Sequence, residues 1–194
     1  MIFNSLIFVA FFIVVTSLFF TLPHKYRWFL LLAASCYFYM YFLPVYILIL
    51  GFTIIVDYFA GIYIAQSEGR KRKTFLIASL IANIEVLAFF KYYNFFAESF
   101  VDLFGSFGVK LHPWTIKVIL PVGISFYTFH GLSYVIDIYK NRIKAEKNFI
   151  DYAVFVSFFP LLVAGPIERA THLLPQIKQK RTFKFSQAQD GIYQ

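Results

Sequence analysis

Six strongly apolar stretches follow one another along this chain, divided by short polar or basic clusters. Ile2 to Leu22 is predicted to be a first spanning helix, roughly 31 Å long and sufficient for a hydrocarbon core of about 30 Å. Pro23 and the basic group His24-Lys25-Tyr26-Arg27 end it. Trp28 to Ala65 would measure roughly 57 Å as one helix, too long for a single crossing. Pro44 disfavours helix at Leu43, which divides the run into spans 28–43 and 45–65 joined by a tight aromatic turn. Phe75 to Phe90 is the fourth span and Thr115 to Tyr139 the fifth, with a kink or late start at Pro121. Tyr152 to Ile167 is a sixth apolar segment, and the polar tail 168–194 is helical in part from Thr171 onward.

Two regions depart from simple crossings. In Lys91 to Trp114, Phe96, Phe100, Leu103, Phe104 and Phe107 share one helical face, while Glu98, Ser99, Asp102 and Ser106 are kept largely off it. That pattern predicts an amphipathic helix lying in the headgroup region, ended by Gly105, Gly108 and Pro113. The sixth segment is only about 24 Å long as a helix and contains Pro160 and Gly165-Pro166. Its brevity also bears on orientation. Ten Lys and Arg residues (25, 27, 70–73, 140, 142, 144 and 147) fall on one side of the predicted spans, against Lys91, Lys110 and Lys117 on the other. Positive charge marks the cytosolic side, which places the N-terminus outside. The basic tail residues Arg169, Lys178, Lys180, Arg181 and Lys184 stay cytosolic only if the sixth segment is re-entrant and turns back. Broken backbone at that depth needs protein or a wet cavity around it.

Composition agrees with a lipid-solvated chain. Hydrophobic residues make up 60% of the 194, aromatics 22%, with 27 Phe and 14 Tyr, and only 14% are charged, too few to furnish a water-facing surface. The fold class expected is all-α: a polytopic transmembrane helical bundle with an interfacial amphipathic helix and a re-entrant segment, residues 1–194 forming one part of a single integral-membrane domain. A net charge of +8 would otherwise suggest a nucleic-acid partner, but the cations sit at the ends of apolar segments and the partner they imply is the bilayer. The single cysteine, Cys36, has no intrachain partner and reads as a small buried hydrophobe. Met1 to Asn4 carries no basic side chain and no small-x-small site follows, so the first segment is expected to stay in the mature protein.

Candidate chemistry concentrates in the fifth span. Gly123, Tyr127, His130, Tyr134 and Asp137 recur at spacings of four, three, four and three. At about 100° per residue they form one stripe roughly 80° wide. Phe129, Leu132 and Ile136 occupy the opposite face. Lipid offers such a stripe no hydrogen bonds, so it must face protein or water. It either ties the helix to its neighbours or lines a cavity for a polar substrate. Asp57 and Glu85 are the other ionisable residues inside spans, and each calls for a partner or wet surroundings. Asp57 reads as a structural hydrogen-bonding group; for Glu85 an interhelical contact and a functional role weigh equally. His24 and His112 flank prolines at membrane boundaries, and His172 lies in the tail. No metal-ligand spacing, Walker loop, dinucleotide fingerprint or nucleophile elbow occurs. Ser133, His130 and Asp137 are close neighbours on one helix and do not read as a triad.

Three blocks carry a resemblance. They are Phe90-Lys91-Tyr92-Tyr93-Asn94-Phe95; Pro121-Val122-Gly123-Ile124-Ser125-Phe126-Tyr127-Thr128-Phe129 continuing to Ser133-Tyr134-Val135-Ile136-Asp137-Ile138-Tyr139; and Phe158-Phe159-Pro160-Leu161-Leu162-Val163-Ala164-Gly165-Pro166-Ile167-Glu168-Arg169. In this order they resemble the N-terminal part of the membrane-bound O-acyltransferase (MBOAT) family, closest to its alginate O-acetyltransferase branch. The resemblance implies a multi-pass inner-membrane enzyme that moves an acyl group from a cytosolic donor, acetyl-CoA or similar, through a membrane tunnel to an extracellular polysaccharide. An extracytoplasmic acetyl-transfer partner protein and a polysaccharide synthesis complex are the implied partners, and no bound cofactor is implied. The family's catalytic histidine lies in a Trp-His-Gly block; neither Trp28 nor Trp114 is followed by histidine, so no catalytic residue is expected in this chain. His130 falls inside a matching block at a position where the family varies and does not inherit that role. Tyr127, His130, Tyr134, Asp137 and Arg169 are the residues expected near the passage, Arg169 as a cation for an anionic donor. The competing reading is a non-enzymatic transport or scaffold subunit of a polysaccharide synthesis or export machine.

Overall fold

A computed structural model describes residues 5–107, 119–162 and 168–183, together with Phe185 and Gln189. Its elements are α1 (Leu6–Thr21), α2 (His24–Met40), a short 3-10 turn (Pro44–Tyr46), α3 (Ile47–Gln66), α4 (Gly69–Ser106), α5 (Ile124–Tyr139), α6 (Phe149–Ser157), α7 (Phe159–Leu162) and α8 (Ala170–Lys178). No strand occurs among the described residues, and the architecture is that of an all-α membrane protein. The α3 and α4 helices are each long and apolar enough to cross a membrane; α1 is a shorter apolar helix.

Local chemistry sets the boundaries. The Ser5 hydroxyl caps α1 by accepting from the Phe8 amide at 3.2 Å. Leu43, held extended at φ −147° by the proline that follows, separates α2 from the turn that leads into α3. The Asn148 side chain accepts from the Ile150 amide at 3.0 Å and opens α6.

The α5 helix is central: α3 and α4 pack on one side of it, α6, α7 and α8 on the other. The α2 helix closes the bundle against α6, and α1 lies outside α2. A satellite core joins these outer elements, with Phe38 fully buried and its ring 5.9 Å from both Phe8 and Phe159.

The structure departs from the sequence expectation after Phe90. Residues 91–106 are not a separate interfacial helix; they continue α4, which runs unbroken for 38 residues. No Gly or Pro lies between Lys73 and Phe104 to stop it, and extending a helix is easier than nucleating a second one. The Phe90 ring packs 6.2 Å from Tyr46 at the head of α3, so the last turns of α4 project past that end of the bundle. The predicted stops Gly108 and Pro113, and the start of the fifth span at Thr115, lie outside the described residues.

The sixth segment is broken in the structure too. Phe158 interrupts the helix between α6 and α7, and residues 163–167, which hold Gly165 and Pro166, lie outside the described residues. By α8 the chain has come back to the end from which α6 set out. Lys178 forms ion pairs with Glu146 and, at 3.6 Å, with Asp151, both near the start of α6. Arg27, at the head of α2, donates to the Arg181 carbonyl at 2.7 Å. The tail cations Lys178 and Arg181 therefore share an end of the bundle with Arg27, Arg72 and Arg142.

The Lys178 pairs are part-exposed, so each contributes only on the order of 0.5–1 kcal/mol after solvent screening. Lys178→Met should loosen α8, and cleavage by trypsin at Lys180 and Arg181 should rise a few-fold, read by limited proteolysis, while the helical content of the bundle stays unchanged.

Candidate functional site

The fifth span begins at a turn that its sequence prescribes. Gly123 adopts φ +77°, a left-handed conformation that L side chains resist, and Tyr127 closes the first helical bond onto its carbonyl at 3.1 Å. From this start the register of α5 fixes which face turns inward. Tyr127, His130, Tyr134 and Asp137 are all buried, at 0, 1, 0 and 3% exposure, whereas Phe129 on the opposite face is 45% exposed.

Two glycines bring the neighbouring helices close. At Gly61 on α3, an added Cβ would stand 2.8 Å from Tyr134 Cε1 and 2.9 Å from Ile138 Cδ1. At Gly131 on α5, it would stand 2.0 Å from Asp57 Oδ2. That carboxylate is itself held from α4: Ser79 Oγ donates to Asp57 Oδ1 at 2.7 Å and Asn83 Nδ2 donates to the same oxygen at 2.6 Å. One side chain on α3 thus locks α4 and α5 into register, the structural role expected for Asp57.

The inward face of α5 is a polar column. Near its top the Tyr127 and Tyr39 rings meet edge to face at 6.2 Å, Tyr39 coming from α2. Neither hydroxyl makes a hydrogen bond of ordinary geometry. Next comes His130, whose two ring nitrogens have no hydrogen-bond partner among the described residues and whose ring packs 5.8 Å from Phe155 of α6. At the foot, the Tyr134 ring lies 4.4 Å from that of Tyr152, tilted by 38°, and its hydroxyl accepts from the Glu146 amide at 2.9 Å. The Tyr152 hydroxyl is buried and has no hydrogen-bond partner among the described residues. From Tyr127 to Tyr134 the column spans about 10 Å. Buried polar atoms left unpaired are each costly, and several stacked on one face make a surface suited to a polar guest.

The foot of the column adjoins a cavity. A pocket of about 610 Å³ is lined by Arg72, Arg142, Lys144, Glu146 and Lys147, among others, with Ile62 and Ile138 on its apolar wall. Arg72 is fixed there by donating from one Nη to the carbonyls of Ile138 and Tyr139, both at 2.9 Å, and to Asn141 Oδ1 at 2.6 Å.

Of the residues singled out in the sequence, Tyr127, His130 and Tyr134 come together in the column. Asp137 is buried on the same helix, and its Oδ1 pairs at 3.1 Å with Arg142 of the cavity at the foot. Arg169 stands exposed at the head of α8, where its carbonyl accepts from the His172 and Leu173 amides, both at 3.0 Å, and its side chain makes no hydrogen bond or ion pair with a described residue. Ser133 donates to the His130 carbonyl at 2.9 Å, an ordinary intrahelical contact and no triad. Sequence reasoning missed Tyr39 and Tyr152, which lie on other helices and carry no spacing signal. Among the described residues no cluster of three or more His, Cys, Asp or Glu side chains could hold a metal ion.

Comparison with known proteins bears on what such a column serves. The chain is 36% identical over 184 residues to the probable alginate O-acetylase AlgI of Pseudomonas aeruginosa, an alignment covering 93% of this chain and 35% of that protein. The probable alginate O-acetylase AlgI of Azotobacter vinelandii is 34% identical over 184 residues, with 93% and 36% covered. The peptidoglycan O-acetyltransferase of Helicobacter pylori is 35% identical over 175 residues, with 77% and 32% covered. The resemblance to the alginate O-acetyltransferase branch holds. The chain spans about a third of the length of these curated relatives. No family model matches it, and no solved structure matches it.

Proposed function

We propose that this chain forms one wall of the acyl passage of a membrane-bound O-acyltransferase that transfers acetyl groups across the inner membrane for O-acetylation of an extracellular polysaccharide. The observation that carries this reading is the buried polar face of α5, where the His130 ring nitrogens and the adjoining Tyr152 hydroxyl have no hydrogen-bond partner among the described residues and the Tyr127 and Tyr39 hydroxyls make none of ordinary geometry, with the basic cavity at its foot. In this reading the end bearing Arg27, Arg72 and Arg142 faces the cytosol, the N-terminus lies outside, and the chain crosses the membrane several times. The donor is acetyl-CoA or a similar acyl carrier with anionic phosphates. Arg72, Arg142, Lys144 and Lys147 give the cavity the charge to attract it, and Arg169 is a further exposed cation available to it. Tyr127 and His130 hydrogen-bond and orient the acyl group or its acceptor within the passage. The catalytic histidine belongs to sequence that this chain does not include, and an extracytoplasmic transfer partner hands the acetyl group on to the polymer. Agreement between the relatives' names and the column's chemistry supports this assignment over a transport or scaffold subunit.

Tyr127→Phe and His130→Gln, each made in the full-length polypeptide, should lower donor-dependent acetylation in membranes roughly 10-fold or more, equivalent to about 1.4 kcal/mol of lost transition-state stabilisation. Protein abundance should be unchanged, and Phe129→Leu on the outward face should act as wild type. Unaltered acetylation in both column variants would sink the proposal.

A further inference from the structure

The hydrogen bonds of Asp57 fix the depth of α4 in the bundle. Asp57 is the eleventh of the 20 residues of α3, so it sits close to the middle of a helix about 30 Å long, the thickness of a hydrocarbon core. Asn83 bonds to it directly, and Glu85 lies two residues further along α4, a rise of about 3 Å. Glu85 is therefore near mid-membrane. Ser79 and Asn83, the other polar residues at this level of α4, point inward and are buried. Glu85 points the other way: it is exposed, and Ile77, Ile81, Ile84 and Phe89 around it are exposed as well. It forms no hydrogen bond or ion pair with a described residue. The nearest cations on its own helix do not reach it. Lys73 lies twelve residues before it, about 18 Å away along the axis, and Lys91 lies six residues beyond, about 9 Å, with its ammonium 5.6 Å from the Tyr92 ring centroid.

A carboxylate at that depth cannot be left to acyl chains, because lipid neither solvates nor hydrogen-bonds it. We propose that the outer face of α4 is a helix-packing surface, covered by a transmembrane segment of the same polypeptide that brings a Lys, Arg or His side chain against Glu85. Charge complementarity selects the occupant. A two-fold contact with a second copy would set one Glu85 against another, and like charges in a low dielectric repel. A polypeptide resembling the relatives has ample sequence to supply the segment, since the chain matches only 35% of the Pseudomonas aeruginosa protein. This inference needs only the membrane setting and stands whether or not acyl transfer is the activity.

The test uses the full-length polypeptide in its native membrane, with photoreactive benzoylphenylalanine at Ile81 and, as an independent variant, at Phe89. The expected product after irradiation keeps the monomer mass and joins α4 to a peptide outside residues 1–194 that contains a basic residue. A dimer-mass product, a crosslink to a different protein, a crosslinked peptide without a basic residue, or lipid adducts alone would each overturn the proposal. The charge pairing is read separately. Glu85→Lys should lower the folded, membrane-inserted amount at least 10-fold, and exchanging the crosslinked basic residue for glutamate should restore it. Failure of that exchange to restore the protein would reject the pairing.

Discussion

Gly131→Ala is expected to leave almost no folded protein. The new methyl would sit 2.0 Å from Asp57 Oδ2, and Asp57 cannot swing aside because Ser79 and Asn83 hold its other oxygen from α4. Relief would require α3 and α5, which pack directly against each other at Gly61 and Gly131, to move apart. Overpacking of a tight core costs about 1–3 kcal/mol, and a contact this short against a tethered side chain belongs at or above the top of that range. The check is the fraction of monodisperse protein recovered in detergent and its unfolding midpoint. Asp57→Ala alone removes the acceptor for two buried donors and should cost about 1–3 kcal/mol. In the double variant the clash is gone, so it should be more stable than Gly131→Ala alone. That strong favourable coupling between the two sites is measurable as a double-mutant cycle.

The second large effect is expected at Arg72. Its guanidinium reaches from the start of α4 to the last carbonyls of α5 and to Asn141, and lies over the Tyr139 ring at 5.4 Å. A cation at a helix C-terminus meets the negative end of the dipole and the carbonyls that lack intrahelical donors. Removing a charged donor of this kind costs about 1.5–3 kcal/mol. Arg72→Met should therefore lower the unfolding midpoint clearly and loosen residues 140–147, detected as faster amide exchange there. Arg72→Lys should recover only part of the loss, since the shorter ammonium keeps the charge but loses the planar guanidinium that lies over the Tyr139 ring.

These two sites show where the sequence was readable. The inward stripe on α5 was legible because its spacing of four, three, four and three is a property of one helix. Pro44 announced the break between α2 and α3, and Asp57 declared a need for hydrogen bonds by lying in an apolar run. The partners of Asp57 were not legible. Ser79, Asn83 and Gly131 are ordinary residues on other helices, and their meeting depends on interhelical register, which no local spacing encodes. The same limit hid Tyr39 and Tyr152, two of the five side chains of the polar column. The continuation of α4 past Phe90 was misread for a different reason: Lys91 and a run of exposed phenylalanines imitate the start of an interfacial helix, while the absence of any breaker lets one helix run on. Arg169, singled out from its block, stands exposed at the head of α8.

The bond from Arg27 to the Arg181 carbonyl joins residues 154 positions apart. Loop closure over such a separation cannot occur until nearly everything between has been synthesised. Assembly thus has a direction: α8 can settle only on a finished α2 and α6, making its docking a late event. Before that moment the basic foot of the bundle is open, and a quality-control protease acting on nascent membrane proteins would find its cleavage sites in the still undocked tail.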